Sequence, residues 1–281
     1  MMQRLLVANR GEIARRLIRG AHDAGCEAVA VYAQDDATSP YVGEADIAVL
    51  LPGVSLAETY LSTTALVGAA ALSGADALHP GYGFLSENPA LPEACAAAGI
   101  VWVGPPPAAM RVMGHKARAK ELVAQAGVPV LPSAVVEAGA GETALEAAAT
   151  GVGYPLLVKA SAGGGGRGMR LVRAPGDLAD AVAAAQREAA AAFGSDEVFL
   201  ERYLEAPRHI EVQIMGDSHG TVLHLLDREC SVQRRHQKVV EEAPAVLVPV
   251  ATRRQMWDAA VAVARAVGYT GAGTVEYLVD A

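Results

Sequence analysis

Aromatic residues make up only 5% of the 281-residue chain, with three Phe and two Trp. A surface that stacks successive nucleobases needs several such rings, so that role is excluded. Basic residues are outnumbered: 23 Lys and Arg stand against 31 Asp and Glu, a net charge of −8. General affinity for nucleic acid needs a basic face to neutralise phosphates, and the balance here runs the other way. Cysteine is sparse, at 26, 95 and 230, with no C-x-x-C. That gives neither a disulfide framework nor a zinc site, and reads as three buried thiols in a reducing cytoplasm. No H-x-x-x-H spacing supports a transition-metal site either. The most apolar stretch, Ala65–Leu72, falls far short of the ~20 residues that span a membrane. The N-terminal MMQRLLVANRGE has no apolar signal core, and Arg10, Glu12, Arg15 and Arg16 follow at once. The Walker A pattern G-x-x-x-x-G-K-[ST] is missing too, and the glycine run 163–168 is followed by a strand pattern rather than a helix, so it is not a dinucleotide fingerprint.

What is present is enough apolar material, 52% of residues with 19% charged, for real cores rather than disorder. The length suits two domains at roughly 100–200 residues each. Over the first hundred residues short apolar runs alternate with helical patterns. Strands are expected at 4–8, 28–32, 46–50, 75–78 and 100–103, and helices at 12–24, 56–72 and 89–98. Such alternation argues for a parallel sheet covered on both faces. Gly104-Pro105-Pro106-Pro107 then punctuates the chain, and one helix is expected over 108–126. Beyond it the pattern predicts a short helix at 143–150, strands at 155–160 and 169–173, and an Ala-rich helix at 177–192. Strands at 197–203, 209–215, 222–227 and 230–234 follow, the last three as an antiparallel meander, then a helix at 253–267 and a strand at 274–279.

Five segments carry groups suited to chemistry. Lys159-Ala-Ser-Ala-Gly163-Gly164-Gly165-Gly166-Arg167-Gly168-Met169 places a glycine run between two strands. Without Cβ atoms such a hairpin tip can fold over phosphates and offer backbone N–H groups, with Lys159 as a point charge. A surface turn is the plain alternative. Ser231-Val-Gln233-Arg234-Arg235-His236-Gln237-Lys238-Val-Val-Glu241-Glu242 is dense in charge between two apolar segments. As one extended strand it would put His236 and Lys238 on one face, with Gln233 off-register; an edge strand guarded by charges is the alternative. His79–Asn88 (HPGYGFLSEN) follows a strand, where ligands of open α/β sheets bind, although Ser86 would also cap the next helix. Glu276 interrupts the apolar TVEYLV; it is either solvated or an oxygen donor to Mg²⁺. Glu201 and Arg202, ending EVFLERY, pose the same question. Val7–Ile13 is a strand–turn–helix with one glycine, which alone is an ordinary βα turn.

In this order, HPGYGFLSEN, MRVMGHK, VKASAGGGGRGMRLV, ERYLEAPRHIEVQ, SVQRRHQKVVEEAPA and GAGTVEY closely resemble biotin carboxylase. That is the ATP-grasp component of acetyl-CoA, propionyl-CoA, methylcrotonyl-CoA and pyruvate carboxylases. The resemblance covers the whole chain, and RRHQKVVEEAPA and HPGYGFLSEN are its most specific parts. It implies an α/β fold, α+β in the ATP-grasp part: a Rossmann-like pre-ATP-grasp domain (1–112), a linking helix (113–130), a lid with the glycine loop (131–203) and the start of the large ATP-grasp domain (204–281). It implies that Lys116, Lys159 and Gly163, Gly164, Gly165 and Gly166 hold the phosphates of ATP, and that Glu201, Arg202, Tyr203 and Leu204 hold adenine, largely through backbone. Met169, His209, Gln233, His236 and Leu278 complete the nucleotide site. Tyr82 and Gly83 would contact substrate, Lys238 would bind bicarbonate and serve catalysis, and Glu276 would bind Mg²⁺ or Mn²⁺.

The implied reaction has two steps. Bicarbonate attacks the γ-phosphate of ATP to give carboxyphosphate and ADP, and the carboxyl group then passes to the ureido nitrogen of biotin on a carrier protein. The implied partners are a biotin carboxyl carrier protein, a carboxyltransferase and a second copy of the chain. Family members continue for well over a hundred residues, through an E-M-N-x-R-x-Q-V-E-H-P stretch bearing a second Mg²⁺ carboxylate, the catalytic Arg and a Glu base. Residues 1–281 alone are therefore expected to bind nucleotide without completing catalysis. The alternatives are another ATP-grasp carboxylate ligase, which the RRHQK stretch opposes, or a non-catalytic nucleotide-binding fragment.

Overall fold

The structure, a computed structural model, describes residues 2–136, 139–161, 169–235 and 237–280, with only the backbone at 116, 117, 192 and 193. The chain divides into two compact units, Met1–Arg111 and Val112–Ala281.

The first unit contains β1 (Arg4–Val7), α1 (Gly11–Asp23), β2 (Glu27–Tyr32), α2 (Pro40–Glu44), β3 (Ile47–Leu50), α3 (Thr63–Ser73), β4 (Ala77–His79), α4 (Ala90–Ala97) and β5 (Val101–Trp102). Its five strands pair in parallel in the order β3-β2-β1-β4-β5. Side chains alternate across the sheet, as a period of two demands. Leu5 and Val7 join Ile18, Ala28 and Ala30 in one buried cluster, whereas Leu6 and Ala8 join Val29, Val31, Leu66 and Leu78 in the other. Both faces are therefore covered, which is why these strands read as continuous apolar runs. In α1, Ala14, Ile18 and Ala21 are buried at helical spacing. The strand order reverses between β1 and β4, so the turns leaving those two strands emerge side by side. Asn9, 4% exposed, ties them together: its Nδ2 donates to the carbonyls of Pro80 and Tyr82, both at 2.7 Å.

The helix expected over 56–72 starts only at Thr63, after Ser62, whose side chain accepts from the Ala65 N–H. The preceding residues are turns, because the Glu58 carboxylate takes up the N–H groups of Val54 and Ser55. Local side-chain hydrogen bonds of this kind compete with helix. The single helix expected over 108–126 is two, α5 (Pro107–Met113) and α6 (Lys116–Gln125), and the His115 side chain caps the second.

The second unit holds two antiparallel sheets. One has the order β6-β9-β7-β8, built from β6 (Ser133–Val136), β7 (Leu156–Ala160), β8 (Arg170–Val172) and β9 (Val198–Arg202). Helices α7 (Glu142–Val152) and α8 (Leu178–Phe193) pack on one face, over Leu145, Ala149, Leu156, Val158, Val182, Val198 and Leu200. The other sheet has the order β12-β11-β10-β13, from β10 (Arg208–Gly216), β11 (Val222–Arg234), β12 (Gln237–Glu242) and β13 (Gly271–Val279). Helix α9 (Val250–Ala266) covers one face through Met256, Ala260 and Ala264, against Ile210, Val212 and Ile214.

Two features of this sheet depart from the sequence expectation. Residues 222–234 form one strand, not two, and it continues through Leu226 at φ 66°. Arg228 and Glu229 looked like a break because they are charged, yet both find charged partners inside the sheet, Glu211 and Arg208. The polar run after Ser231 is a hairpin, not one extended strand: Arg234 pairs with Gln237 and Gln233 with Lys238. Gln233 is therefore opposite Lys238 and not off-register from it.

Candidate functional site

In the first of the two sheets, alternation along β7 buries Leu156, Val158 and Ala160 and turns Leu157 and Lys159 to the other face. Leu157 sits opposite Glu201 on β9, so Lys159 is its diagonal neighbour, within reach of a long side chain. The Lys159 ammonium lies on Glu201 Oε2, and the Lys120 ammonium of α6 lies 2.7 Å from Oε1. Lys120 also donates to the Leu131 carbonyl at 2.8 Å. These side chains are 11% (Glu201), 18% (Lys159) and 19% (Lys120) exposed, so the cluster is nearly dry. Burial would raise the Glu201 pKa, but Lys159 and Lys120 outweigh it and hold the carboxyl below its ordinary value.

At the end of β9 the backbone donors are already allotted. The Arg202 N–H goes to Pro132 O and the Tyr203 N–H to Pro155 O. The Arg202 guanidinium donates to the Tyr154 carbonyl at 2.5 Å. The Leu204 N–H meets no carbonyl among the described residues. A ligand edge at this point would therefore meet the Leu204 donor.

The second cluster lies on the face of the β10–β13 sheet away from α9. Polar residues 209, 211 and 213 alternate with Ile210, Val212 and Ile214, so one strand supplies both core and site. Glu211 pairs across the ladder with Glu276, and His209 with Leu278. Glu211 is only 3% exposed, and two cations hold it: the Lys238 ammonium on Oε1 and Arg228 Nη2 at 2.9 Å from Oε2. Arg228 forks, its Nη1 donating to Gln213 Oε1 at 2.9 Å. Lys238 also reaches Glu276 Oε1 at 3.1 Å. His209 contacts Gln233 through Nδ1 at 2.7 Å, and its backbone N–H donates to Ser231 Oγ at 2.8 Å. Its Nε2 is buried without a hydrogen-bond partner, 3.6 Å from carboxylate oxygens of both Glu211 and Glu276. His209 first, then Lys238, hold the half-exposed Glu276 carboxyl at about 2.

Comparison with known proteins shows the family. The family model described as "Biotin carboxylase, N-terminal domain" matches residues 1–110. The model "Carbamoyl-phosphate synthase L chain, ATP binding domain" matches 115–281. The chain belongs to the biotin carboxylase family. It is 50% identical over 281 residues to the mitochondrial methylcrotonoyl-CoA carboxylase subunit alpha of Oryza sativa subsp. japonica, covering 99% of this chain and 38% of that protein. It is 45% identical to biotin carboxylase 1 of Bacillus subtilis (strain 168), covering 100% of this chain and 62% of that one. Among solved structures, the Campylobacter jejuni biotin carboxylase–β-γ-ATP complex superposes with a TM-score of 0.95 at 45% identity. It covers 100% of this chain and 63% of that chain. The biotin carboxylase domain dimer of Hydrogenobacter thermophilus 2-oxoglutarate carboxylase, in complex with MgADP, ADP and bicarbonate, gives 0.93 at 42% identity, with 100% and 61% coverage. The chain thus spans about 38 to 63% of the length of these biotin carboxylase relatives.

Of the residues that the biotin carboxylase resemblance singled out, the structure gathers Lys159 and Glu201 in one cluster and His209, Gln233, Lys238 and Glu276 in the other. Leu278 borders the second cluster, 49% exposed beside His209. Met169 is half-buried just ahead of β8. Gly163, Gly164, Gly165, Gly166, His236 and the Lys116 side chain lie outside the described residues. Tyr82 and Gly83 belong to the first unit, where they line a cleft of about 380 Å³ with Asn9, Arg10, Gly11 and Phe84. The Tyr82 hydroxyl donates to Glu12, which raises its pKa. Three side chains at the sites were not among the sequence candidates: Lys120, Glu211 and Arg228. The signals were there, since Lys120 is four residues from Lys116 on one helix and Glu211 keeps the two-residue alternation of HIEVQ.

Among the described residues no helix is long and apolar enough to cross a membrane.

Proposed function

We propose that the chain forms the nucleotide- and bicarbonate-handling part of a biotin carboxylase, which uses ATP and bicarbonate to carboxylate biotin on a carrier protein. The observation that carries this is Lys238 set between Glu211 and Glu276. A lysine whose ammonium is fixed by carboxylates on neighbouring strands is a positioned cation, able to hold bicarbonate for attack on the γ-phosphate. The attack forms a new C–O–P link as the bond to the ADP oxygen breaks. The carboxyl group of the resulting carboxyphosphate passes to the biotin nitrogen, whose N–H proton is taken up by the departing phosphate. Phosphoryl transfer depends on positioning and positive charge, which Lys159 and Lys238 supply from this chain, with Lys116 in the same role. The Leu204 N–H and the Arg202 carbonyl would meet the adenine edge. Gln233 orients His209 beside the nucleotide, Tyr82 and Gly83 would contact biotin, and Gly163 to Gly166, outside the described residues, would serve the phosphates.

The donor set also fits Mg²⁺. Glu276 is half-exposed, ionised and within a cluster whose ligand atoms lie within 4.8 Å of one another, and hard cations take carboxylate oxygens. Glu276 would hold the ion, which when bound neutralises phosphate charge; Glu211, committed to Arg228 and Lys238, is less free to do so. The partners would be a biotin carrier, a carboxyltransferase and a second copy of the chain. The buried free thiols Cys26, Cys95 and Cys230 suit a reducing compartment, the cytoplasm.

Calorimetric titration tests this reading. Mg-ADP should bind, and bicarbonate should change its affinity in the wild type but not in Lys238→Gln. Absence of Mg-ADP binding, or a bicarbonate effect that survives Lys238→Gln, refutes it.

A further inference from the structure

Glu201 is a nearly dry carboxylate clasped by two lysines, and the two are not equivalent. Lys120 comes from α6 and is doubly anchored, to Glu201 Oε1 at 2.7 Å and to the Leu131 carbonyl at 2.8 Å. Lys159 is held by Glu201 Oε2 alone among the described residues, and it stands one residue before the end of the strand that feeds the glycine loop. Two ammonium groups against one carboxylate leave the cluster with a net charge of +1, in a place where charge is weakly screened. A second anion is therefore attracted to it, and the lysine with one tie is the one free to meet it.

We infer that Glu201 is an internal stand-in for a nucleotide phosphate, and that Lys120 is the positioning residue that lets it be exchanged. On nucleotide binding Lys159 transfers its ammonium from Glu201 to the phosphate chain, while Lys120 stays on Glu201. A buried carboxylate abandoned by its only cation is costly. With Lys120 in place Glu201 is never abandoned, so the transfer of Lys159 is cheap. Without Lys120, Glu201 would retain Lys159 and compete with the nucleotide. No covalent step is involved, and the inference rests on the nucleotide site proposed above.

Calorimetric affinity for ADP, with and without Mg²⁺, decides it on the full 281-residue chain. Lys120→Met should weaken binding tenfold or more. Glu201→Gln added to Lys120→Met should recover most of the loss, because a neutral amide does not retain Lys159. Glu201→Gln alone should bind ADP more tightly than the wild type, and this variant decides the matter if Lys120→Met does not fold. Wild-type affinity in Lys120→Met overturns the inference, as does a double variant no better than Lys120→Met, or weaker binding by Glu201→Gln. No binding by the wild type refutes the nucleotide site itself, an outcome separate from these. A purely structural Lys120 would not produce rescue by a change at Glu201.

Discussion

Asp227 joins β11 to the segment after β12 and to helix α9. It is fully buried on β11 and accepts three donors: the Ala245 N–H at 2.7 Å, Arg253 Nε at 2.9 Å and Trp257 Nε1 at 2.6 Å. One carboxylate thus fastens the chain that leaves β12 to helix α9. Asp227→Ala strands a buried guanidinium and leaves a backbone N–H and an indole N–H without their acceptor. Breaking a buried ion pair from one side costs about 3–5 kcal/mol. The orphaned donors fall within that figure rather than adding to it, because the same carboxylate serves all three. This is a large share of the roughly 5–15 kcal/mol that holds an ordinary domain together. The assay is urea unfolding followed by Trp257 fluorescence in a Trp102→Phe background, which leaves one tryptophan. Arg253→Met in the Asp227→Ala background should recover part of the loss, since it removes the stranded charge. Acid gives a second reading. Burial raises the Asp227 pKa, but Ala245, Arg253 and Trp257 outweigh it and set it below the ordinary 3.8. The Asp227 contribution is therefore complete above that value and fades as pH falls toward the folded pKa. A loss below about 1 kcal/mol for Asp227→Ala, or a double variant less stable than the single, would refute the reasoning.

Other outcomes follow from the same geometry. Gly216→Ala should cost about 1–3 kcal/mol in urea unfolding, because a Cβ there would lie 2.3 Å from the Tyr269 carbonyl oxygen, which is backbone and cannot swing away; an unchanged midpoint would contradict the packing. Arg228→Met should cost about 1.5–3 kcal/mol by removing one of the two cations on buried Glu211, and a change under about 0.5 kcal/mol would show Lys238 alone suffices. Glu276 is held at about 2 by His209 and Lys238, so its stabilising pairing is complete above the ordinary 4.5 and is lost as pH falls through about 2. The melting-temperature gap between wild type and Glu276→Gln should therefore shrink on acidification from about pH 5 to about pH 3, and a constant gap would count against that pairing.

Much of the fold was legible because burial leaves a period in the sequence. RLLV and EAVAVY read as strands because both of their faces are covered, and the helix expected at 12–24 appears over Gly11–Asp23. Where polar side chains find partners inside a sheet, the pattern misleads. Arg228 and Glu229 looked like a break in β11, because their charges are matched only by residues remote in sequence, and the run after Ser231 read as one extended strand where the chain turns back as a hairpin. The missed start of α3 has a local cause, the Glu58 hydrogen bonds that hold the preceding turns.

The order of motifs along the chain was sufficient to place it in its family, since spacing and residue type survive in a linear reading. Lys159, Lys238 and Glu276 could be named in the same way. Their partners could not. That Lys159 rests on Glu201 together with Lys120, and that Glu211 lies under Lys238 and Arg228, follows from strand register and helix placement. Charges 17 to 81 residues apart interact only once the backbone brings them within a few ångströms, and that distance, not residue identity, sets the strength of a Coulomb interaction.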